Sequence, residues 1–251
     1  MKRPLSRAIN RRIGRTMHQW DMLAHGDRVL VAVSGGIDSL VLSWLLLHWR
    51  SKAPIDFTLH PVHIDTESVD GQPGKAARDV AGELEKIGLP CHVVPSAWQS
   101  PLPEDTTLLE NQRKDICFQC SSNRRRQLFD TARDLGCNKL ALGHHQDDLI
   151  ETFFINLTSA GNISTMKPRQ ELFEGRLTLI RPLAGIEKAE IRKIGAAVGV
   201  TPVPSSCPLS EQTRRRDVRD VLESLYQLIP GSREHIFAAL ANVRHEYLLD
   251  R

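Results

Sequence analysis

A short apolar run near the start of this chain is followed without a break by a glycine-containing loop and then by a second apolar segment. Residues 28–33 read RVLVAV, a β-branched pattern typical of a buried strand, and residues 40–49 predict an apolar helix. Between them, residues 34–39 read SGGIDS. A loop that joins a strand to a helix directs backbone N–H groups to the positive end of the helix dipole, so this arrangement predicts a phosphate-binding site.

The same alternation of strand and helix signals continues along most of the chain. Further strands are predicted at residues 55–65, 91–94, 138–142 and 178–180, and further helices at residues 74–87, 121–135 and 147–157. Residues 95–114, which are rich in proline and polar groups, predict a long loop. Strict alternation favours an α/β fold in which a parallel twisted sheet carries helices on both faces.

The two ends of the chain depart from this alternation. Apolar residues recur at helical spacing from Ile9 to Trp20, so residues 1–25 predict a basic N-terminal helix. Residues 26–200 would form the α/β domain, and residues 201–251 a C-terminal helical extension. The apolar positions of its two amphipathic helices are Val218, Val221, Leu222 and Leu225, and then Ile236, Leu240 and Val243.

Basic residues are clustered although the formal net charge is only +3. The clusters lie before the first acidic residue (Lys2, Arg3, Arg7, Arg11, Arg12 and Arg15), at residues 124–126 and at residues 214–216. Such clusters suit binding to the phosphates of a nucleic-acid backbone. The alternative interpretation is that each cluster only forms the solvated face of a helix. No apolar run approaches the roughly 18 residues of a membrane span, and the start lacks the apolar stretch of a signal peptide. We therefore expect a cytoplasmic protein without a membrane segment.

The residue types in the glycine loop suit a nucleotide triphosphate. Gly35 and Gly36 allow a phosphate to approach the backbone closely, although a tight turn alone would also explain two glycines. Ser34 and Ser39 can donate hydrogen bonds to phosphate oxygens. Asp38 can hold Mg²⁺ against the phosphates.

A second polar motif lies where the fourth predicted strand ends. Residues 143–148 read GHHQDD, and the carboxyl ends of parallel strands are where ligands bind in open sheets. Asp147 and Asp148 are therefore expected beside the glycine loop, where they would hold metal or orient the substrate. Capping of the following helix is the alternative interpretation of two adjacent aspartates.

The five cysteines do not form the even, closely spaced set of a secreted disulfide framework. Cys117 and Cys120 form a C-x-x-C pair at the entry to a predicted basic helix, and Cys207 follows in a proline- and serine-rich segment. The pair alone is compatible with a redox dithiol or half of a zinc site. Cys91 and Cys137 are interpreted as packing residues, because free cysteine is commonly buried.

These motifs together resemble one family of enzymes. The string SGGIDS is similar to the SGGxDS loop of PP-loop (N-type) ATP pyrophosphatases, and GHHQDD is similar to a motif of the PP-loop enzymes that modify tRNA. With the basic N-terminal helix, residues 26–28 (GDR), residues 180–183 (IRPL) and the cysteine pattern, nearly the whole chain resembles the tRNA 2-thiocytidine synthetase family.

The resemblance implies a fold of the adenine nucleotide alpha hydrolase type, with ATP, Mg²⁺ and a [4Fe–4S] cluster as cofactors. Cys117, Cys120 and Cys207 would hold the cluster and leave one iron open, while Gly143 and Arg181 would join the glycine loop in binding ATP. The substrate implied is tRNA, in which the anticodon-loop cytidine at position 32 is adenylated at O2 and then thiolated. Sulfur would come from sulfide or a cysteine desulfurase, and a homodimer is compatible with the family.

Two positions depart from the family pattern. Ile37 stands where the family usually has lysine, which removes one phosphate contact. The segment around Cys207 lacks a further cysteine and differs in its spacing.

Three alternatives stay open from the sequence. The first is a cluster-dependent thiolase of another RNA base or of a small molecule. The second is a PP-loop ligase or amidating enzyme in which the cysteines bind structural zinc. The third is an RNA- or nucleotide-binding regulator without activity.

Overall fold

A six-stranded sheet forms the centre of the larger part of the molecule. The computed structural model describes residues 5–98, 110–205, 207, 209 and 214–249. The strands are β1 (Arg28–Ala32), β2 (Thr58–Asp65), β3 (His92–Pro95), β4 (Lys139–Ala141), β5 (Arg169–Leu172) and β6 (Leu177–Ile180). The helices are α1 (Arg7–Gln19), α2 (Ile37–Arg50), α3 (Lys75–Lys86), α4 (Glu110–Asp134), α5 (Gln146–Ser159), α6 (Lys188–Val198), α7 (Arg214–Leu228) and α8 (Ser232–Ala239), followed by a 3₁₀ turn at His245–Tyr247.

The strand order creates one switch point beside the first strand. The order across the sheet is β3-β2-β1-β4-β6-β5, and all pairs are parallel except β5 with β6. The chain therefore builds outward from β1 on one side and returns to its other side at β4. In open parallel sheets a crevice forms at such a point, beyond the carboxyl ends of the strands. The loops after β1 and β4 are the two that flank it.

Burial of β1 on both faces explains why it reads as a continuous apolar run. Val29 and Val31 belong to a core that includes α2 and α6, whereas Leu30 belongs to a second core that includes α4. All three side chains are fully buried, and complete burial of such a side chain contributes about 1.5–3 kcal/mol. The predicted parallel sheet with helices on both faces is therefore confirmed.

Four elements differ from the sequence-based expectation. Helix α4 begins at Glu110, so the end of the predicted loop at residues 95–114 is helical, while residues 99–109 lie outside the described part of the chain. Strand β5 was not predicted, because its residues RQEL are mostly polar. Only its first and last residues are partly buried, and the two between them are exposed. Helix α6 was not predicted either, and the helix predicted to contain Leu240 and Val243 ends at Ala239.

The chain divides into two compact units. The first contains Met1–His145 and Pro168–Leu209, which include the whole sheet, and the second contains Gln146–Lys167 and Ser210–Arg251, which include α5, α7 and α8. The boundaries expected near residues 25 and 200 stay predictions. Across the described residues, no helix has the length and apolar character needed to cross a bilayer.

Candidate active site

The loop after β1 has a backbone conformation that glycine alone adopts without strain at residue 35. Gly35 has a φ of +88°, and a Cβ atom there would lie 2.7 Å from Val80 Cγ2 and 3.3 Å from Val203 Cβ. Gly36 is different, because its φ of −65° is ordinary and it serves as the N-cap residue of α2. Its added Cβ would meet only Ser34 Oγ, at 3.6 Å. The structure therefore requires glycine at residue 35 for both dihedral and space, and at residue 36 for neither.

The serine hydroxyls brace the loop from within. Ser39 Oγ donates to the carbonyl oxygen of Gly36 at 2.8 Å, and Ser34 Oγ accepts from the Gly36 N–H at 3.4 Å. The two hydroxyl oxygens lie 3.4 Å apart. These bonds hold the first turn of α2 and the loop as one piece, so the N–H groups at the helix start are fixed in direction. Direct donation from the serines to phosphate stays a prediction.

Asp38 lies in the first turn of α2 and is held by a lysine that the sequence analysis missed. Lys188 Nζ is 2.7 Å from Asp38 Oδ1 and 2.6 Å from Oδ2, so one ammonium contacts both carboxylate oxygens. His145 Nε2 lies 3.8 Å from Oδ1. The two side chains are partly exposed, 26% for Asp38 and 31% for Lys188. The carboxylate is therefore accessible enough to exchange one cationic partner for another.

The loop after β4 lies directly against the glycine loop. A Cβ atom at Gly143 would lie 3.1 Å from the Asp38 carbonyl carbon and 3.1 Å from the Ser39 nitrogen. A larger residue at position 143 would press on the start of α2, so glycine permits this close approach. The adjacency follows from the pairing of β4 with β1, which brings the carboxyl ends of both strands to one edge.

Asp147 and Asp148 start helix α5, as predicted, and both form ion pairs. Asp147 Oδ1 is 3.0 Å from Arg233 Nη1, and Asp148 Oδ1 is 3.2 Å from Arg215 Nη1. All four residues belong to the second compact unit. Arginine partners neutralise carboxylates that were predicted to hold metal or orient substrate, and these roles stay predictions.

Arg181 is only 5% exposed and has two hydrogen-bond partners inside the first unit. Its Nε donates to His144 Nδ1 at 3.1 Å, and its backbone N–H donates to the carbonyl oxygen of Pro168 at 2.8 Å. The guanidinium thus positions a histidine of the motif after β4. Contact with phosphate, which the family resemblance implied, stays a prediction.

Cys117 and Cys120 lie one turn apart inside helix α4, and not at the helix entry that the sequence predicted. Both thiols are partly buried, and Cys207 is exposed. The pKa of Cys117 is raised first by burial, and then by the charges of Cys207 and Cys120. The influence of Cys207 on Cys117 means that a cysteine distant in sequence lies near the C-x-x-C pair.

The other two cysteines behave as packing residues. Burial raises the pKa of Cys91 to about 11, and burial also raises the pKa of Cys137. Cys137 is part of the core that includes α4, and Cys91 packs against the core that includes α2. Thiols that stay neutral, as the raised pKa of each keeps these two, are poor metal ligands, because the thiolate is the form that binds metal.

The segment before Cys207 is hydrogen-bonded to the glycine loop. The Val203 N–H donates to the carbonyl oxygen of Gly35 at 3.0 Å, and the Thr201 N–H donates to Glu83 Oε2 at 2.8 Å. We call residues 201–205 the strap. One short stretch of chain therefore contacts the loop at Val203 and continues directly to Cys207.

The three thiols fit the ligand set of an iron–sulfur cluster. Each thiolate of a [4Fe–4S] cluster binds its own iron, so the sulfurs need not converge on one point. Arg124 Nη2 lies 3.6 Å from Cys120 Sγ and can donate to a thiolate. In the described ranges, no three His, Cys, Asp or Glu side chains are arranged to hold a single metal ion.

The site is a braced glycine loop at the switch point of a parallel sheet, and the next helix has an aspartate in its first turn. These features define a nucleotide-binding domain of the PP-loop class. The family model described as a PP-loop domain matches residues 5–224. The tRNA-cytidine(32) 2-sulfurtransferase of Pelobacter propionicus is 37% identical over 250 residues, which cover 99% of this chain and 90% of the relative. This chain belongs to the tRNA-cytidine(32) 2-sulfurtransferase family of PP-loop proteins.

Further comparisons agree with this assignment. The enzyme of the same name from Pseudomonas syringae pv. syringae is 33% identical, with 98% of this chain and 88% of the relative covered. Among solved structures, the U34-tRNA thiolase NcsA from Methanococcus maripaludis with its [4Fe-4S] cluster matches with a TM-score of 0.71. That match covers 96% of this chain and 80% of the other, at 22% identity, and supports the fold alone.

Proposed function

We propose that this protein is an ATP- and [4Fe–4S]-dependent tRNA sulfurtransferase that converts cytidine 32 of the anticodon loop into 2-thiocytidine. The observation that carries the proposal is the strap, which is hydrogen-bonded to the glycine loop and leads to Cys207. Cys207 in turn lies near enough to Cys117 to raise the pKa of its thiol. A few residues of chain thus separate the phosphate-binding loop from Cys207, the proposed third ligand of the cluster.

The glycine loop would activate the base. In this step the cytosine O2 forms a bond to the α-phosphorus of ATP, and the bond from that phosphorus to the bridging oxygen breaks to release pyrophosphate. The N–H groups at the start of α2 would stabilise the negative charge on the phosphates, and Asp38 would hold the Mg²⁺ that neutralises it. Activation is needed because an oxygen bonded to a ring carbon leaves poorly unless it is phosphorylated.

The cysteines would hold the group that delivers sulfur. When bound, a cluster with three thiolate ligands supplies one iron with an open position for sulfide. Cys117, Cys120 and Cys207 would bind the other three irons. Sulfide then replaces the adenylated oxygen at C2, and that oxygen leaves as part of AMP.

Exposed arginines would bind the tRNA. Arg124, Arg125 and Arg126 follow Cys120 on the same helix, and all three are exposed. Arg7, Arg11 and Arg15 are exposed and lie four residues apart along α1, which places them on one face. Unpaired anticodon-loop bases can be turned out into a protein pocket. The sulfur donor (sulfide or a cysteine desulfurase), a homodimer and a cytoplasmic location remain part of the proposal.

Nucleoside mass spectrometry tests the proposal. Protein reconstituted anaerobically with iron and sulfide is incubated with tRNA, ATP, Mg²⁺ and sulfide, and 2-thiocytidine is expected at position 32. C117S and C207S are expected to abolish the product, whereas C91A, at a packing cysteine, is the matched control. Thiolation of a different nucleotide, or a colourless zinc protein that releases pyrophosphate without thiolation, would contradict the proposal.

A further inference from the structure

The glycine loop contains an acid but no basic residue. Residues 34–39 read SGGIDS, and the apolar Ile37 occupies the first position of helix α2. The Ile37 side chain packs on α6, where a Cβ atom added to Gly195 would overlap its Cδ1 and lie 3.1 Å from its Cγ1. Residue 37 therefore serves the contact between α2 and α6 and presents no charge to a nucleotide.

The same helix α6 brings a cation to the loop at its other end. Lys188 is the first residue of α6, and its ammonium contacts both carboxylate oxygens of Asp38. The N-terminus of this helix is fixed by a capping box between Glu187 and Glu190, so the position from which Lys188 extends is defined. With 31% of its side chain exposed, the lysine is accessible to solvent while it contacts the loop.

We propose that Lys188 binds the β- and γ-phosphates of ATP and stabilises the pyrophosphate leaving group. This inference rests on the proposed adenylation. Mg²⁺ held by the Asp38 carboxylate would repel the ammonium, and Lys188 would then leave the carboxylate oxygens that it contacts in this structure. Phosphates bound at the start of α2, the helix that carries Asp38, would then offer oxygens to the three N–H donors of the ammonium. Lys188 would act as a phosphate ligand that Asp38 holds in place until nucleotide binds.

The alternative role is that of a structural counterion, in which Lys188 only neutralises Asp38 and ties α6 to α2. The two roles predict different nucleotide selectivity. A phosphate ligand contributes to the binding of ATP and pyrophosphate but not of AMP, which lacks the β- and γ-phosphates. A counterion contributes to all three equally, through the integrity of the loop.

Calorimetric titration of the full chain with ATP, pyrophosphate and AMP, each in the presence of Mg²⁺, separates these roles. K188Q is expected to weaken ATP and pyrophosphate binding about tenfold or more and to leave AMP binding within about twofold, because one charge-assisted hydrogen bond is lost. K188R, which keeps the charge, is expected to retain most of the ATP preference. The matched control K193Q, at an exposed lysine of the same helix, should change neither.

A parallel loss of ATP and AMP affinity in K188Q, or no loss of either, would overturn the inference. If K188Q does not fold, acetylation of the wild-type protein gives the answer instead. Pyrophosphate is expected to protect Lys188 from acetylation, whereas AMP is expected to give no protection. Peptide mass spectrometry measures the labelling of Lys188. Equal labelling in the presence of pyrophosphate and of AMP would refute the role. Wild-type protein that binds no ATP would contradict the proposed function itself, which is a distinct outcome.

Discussion

At the scale of single residues, the two glycines of the loop have different tasks. Gly35 has a left-handed φ, and its missing Cβ makes room for Val80 and Val203, whereas Gly36 has an ordinary φ and open space. Sequence alone gives both glycines the same role, since neither the dihedral nor the neighbouring valines can be read from the motif.

The substitution G35A is expected to destabilise the fold and impair ATP binding. An L-residue at this φ costs about 1–2 kcal/mol, and overlap with Val80 at 2.7 Å adds to it. Urea denaturation monitored by circular dichroism gives the free energy of unfolding. G36A is the matched variant and should cost less, about 0.5–1 kcal/mol, because its Cβ meets only Ser34 Oγ at 3.6 Å and the remaining cost is that of alanine at a helix N-cap. Equal destabilisation by both substitutions would show that residue 35 is not special.

The residue-level chemistry of the site could be predicted only where a motif carries it. The loop residues, Gly143 and the cysteine pair follow from local strings, and the structure brings Gly143 against the loop. Lys188 belongs to no such string, and its meeting with Asp38 depends on the packing of α6 on α2. A usable signal was present, since Glu187 and Glu190 have the spacing of a capping box and mark the start of a helix.

At the scale of elements, the strap connects the loop to the cysteines. It has little regular structure, and its position is set by two backbone donors, Thr201 to Glu83 and Val203 to Gly35. Such a connection is invisible in sequence, because a proline- and serine-rich segment predicts only an irregular loop.

Removal of one strap hydrogen bond is expected to weaken ATP binding. V203P eliminates the N–H that donates to Gly35, and loss of a backbone hydrogen bond costs about 0.5–1.5 kcal/mol, or roughly two- to thirteenfold in affinity. V203A keeps the N–H and is the control for the smaller side chain. Calorimetric titration with ATP compares the two. If V203P binds ATP as tightly as V203A does, the strap does not organise the loop.

The early turns of α4 and strand β5, both missed from the sequence, share a physical cause. The first turns of α4 are polar on most sides, and Phe118 there is 73% exposed, so no apolar periodicity marks the helix before Leu128. Strand β5 is a polar edge strand whose pairing with β6 depends on a tight turn with positive φ from Phe173 to Gly175. The buried strands carry their signal in composition, and these elements do not.

At the scale of the whole molecule, alternation of elements predicted the fold class, but it did not predict the strand order. The order β3-β2-β1-β4-β6-β5 depends on which side of β1 the chain returns to, a long-range property. That choice creates the switch point and brings the loops after β1 and β4 together. The division into two compact units, with α5 grouped with α7 and α8, likewise joins segments that are distant in sequence.

The central claim is that the base itself is adenylated, so that its own oxygen departs with AMP. The most direct test is an isotope transfer, in which tRNA carrying ¹⁸O at O2 of cytidine 32 is incubated with the reconstituted enzyme, ATP, Mg²⁺ and sulfide. The account predicts AMP that contains one ¹⁸O atom for each 2-thiocytidine formed, together with unlabelled pyrophosphate. Label that appears in water or inorganic phosphate, with AMP unlabelled, would contradict it.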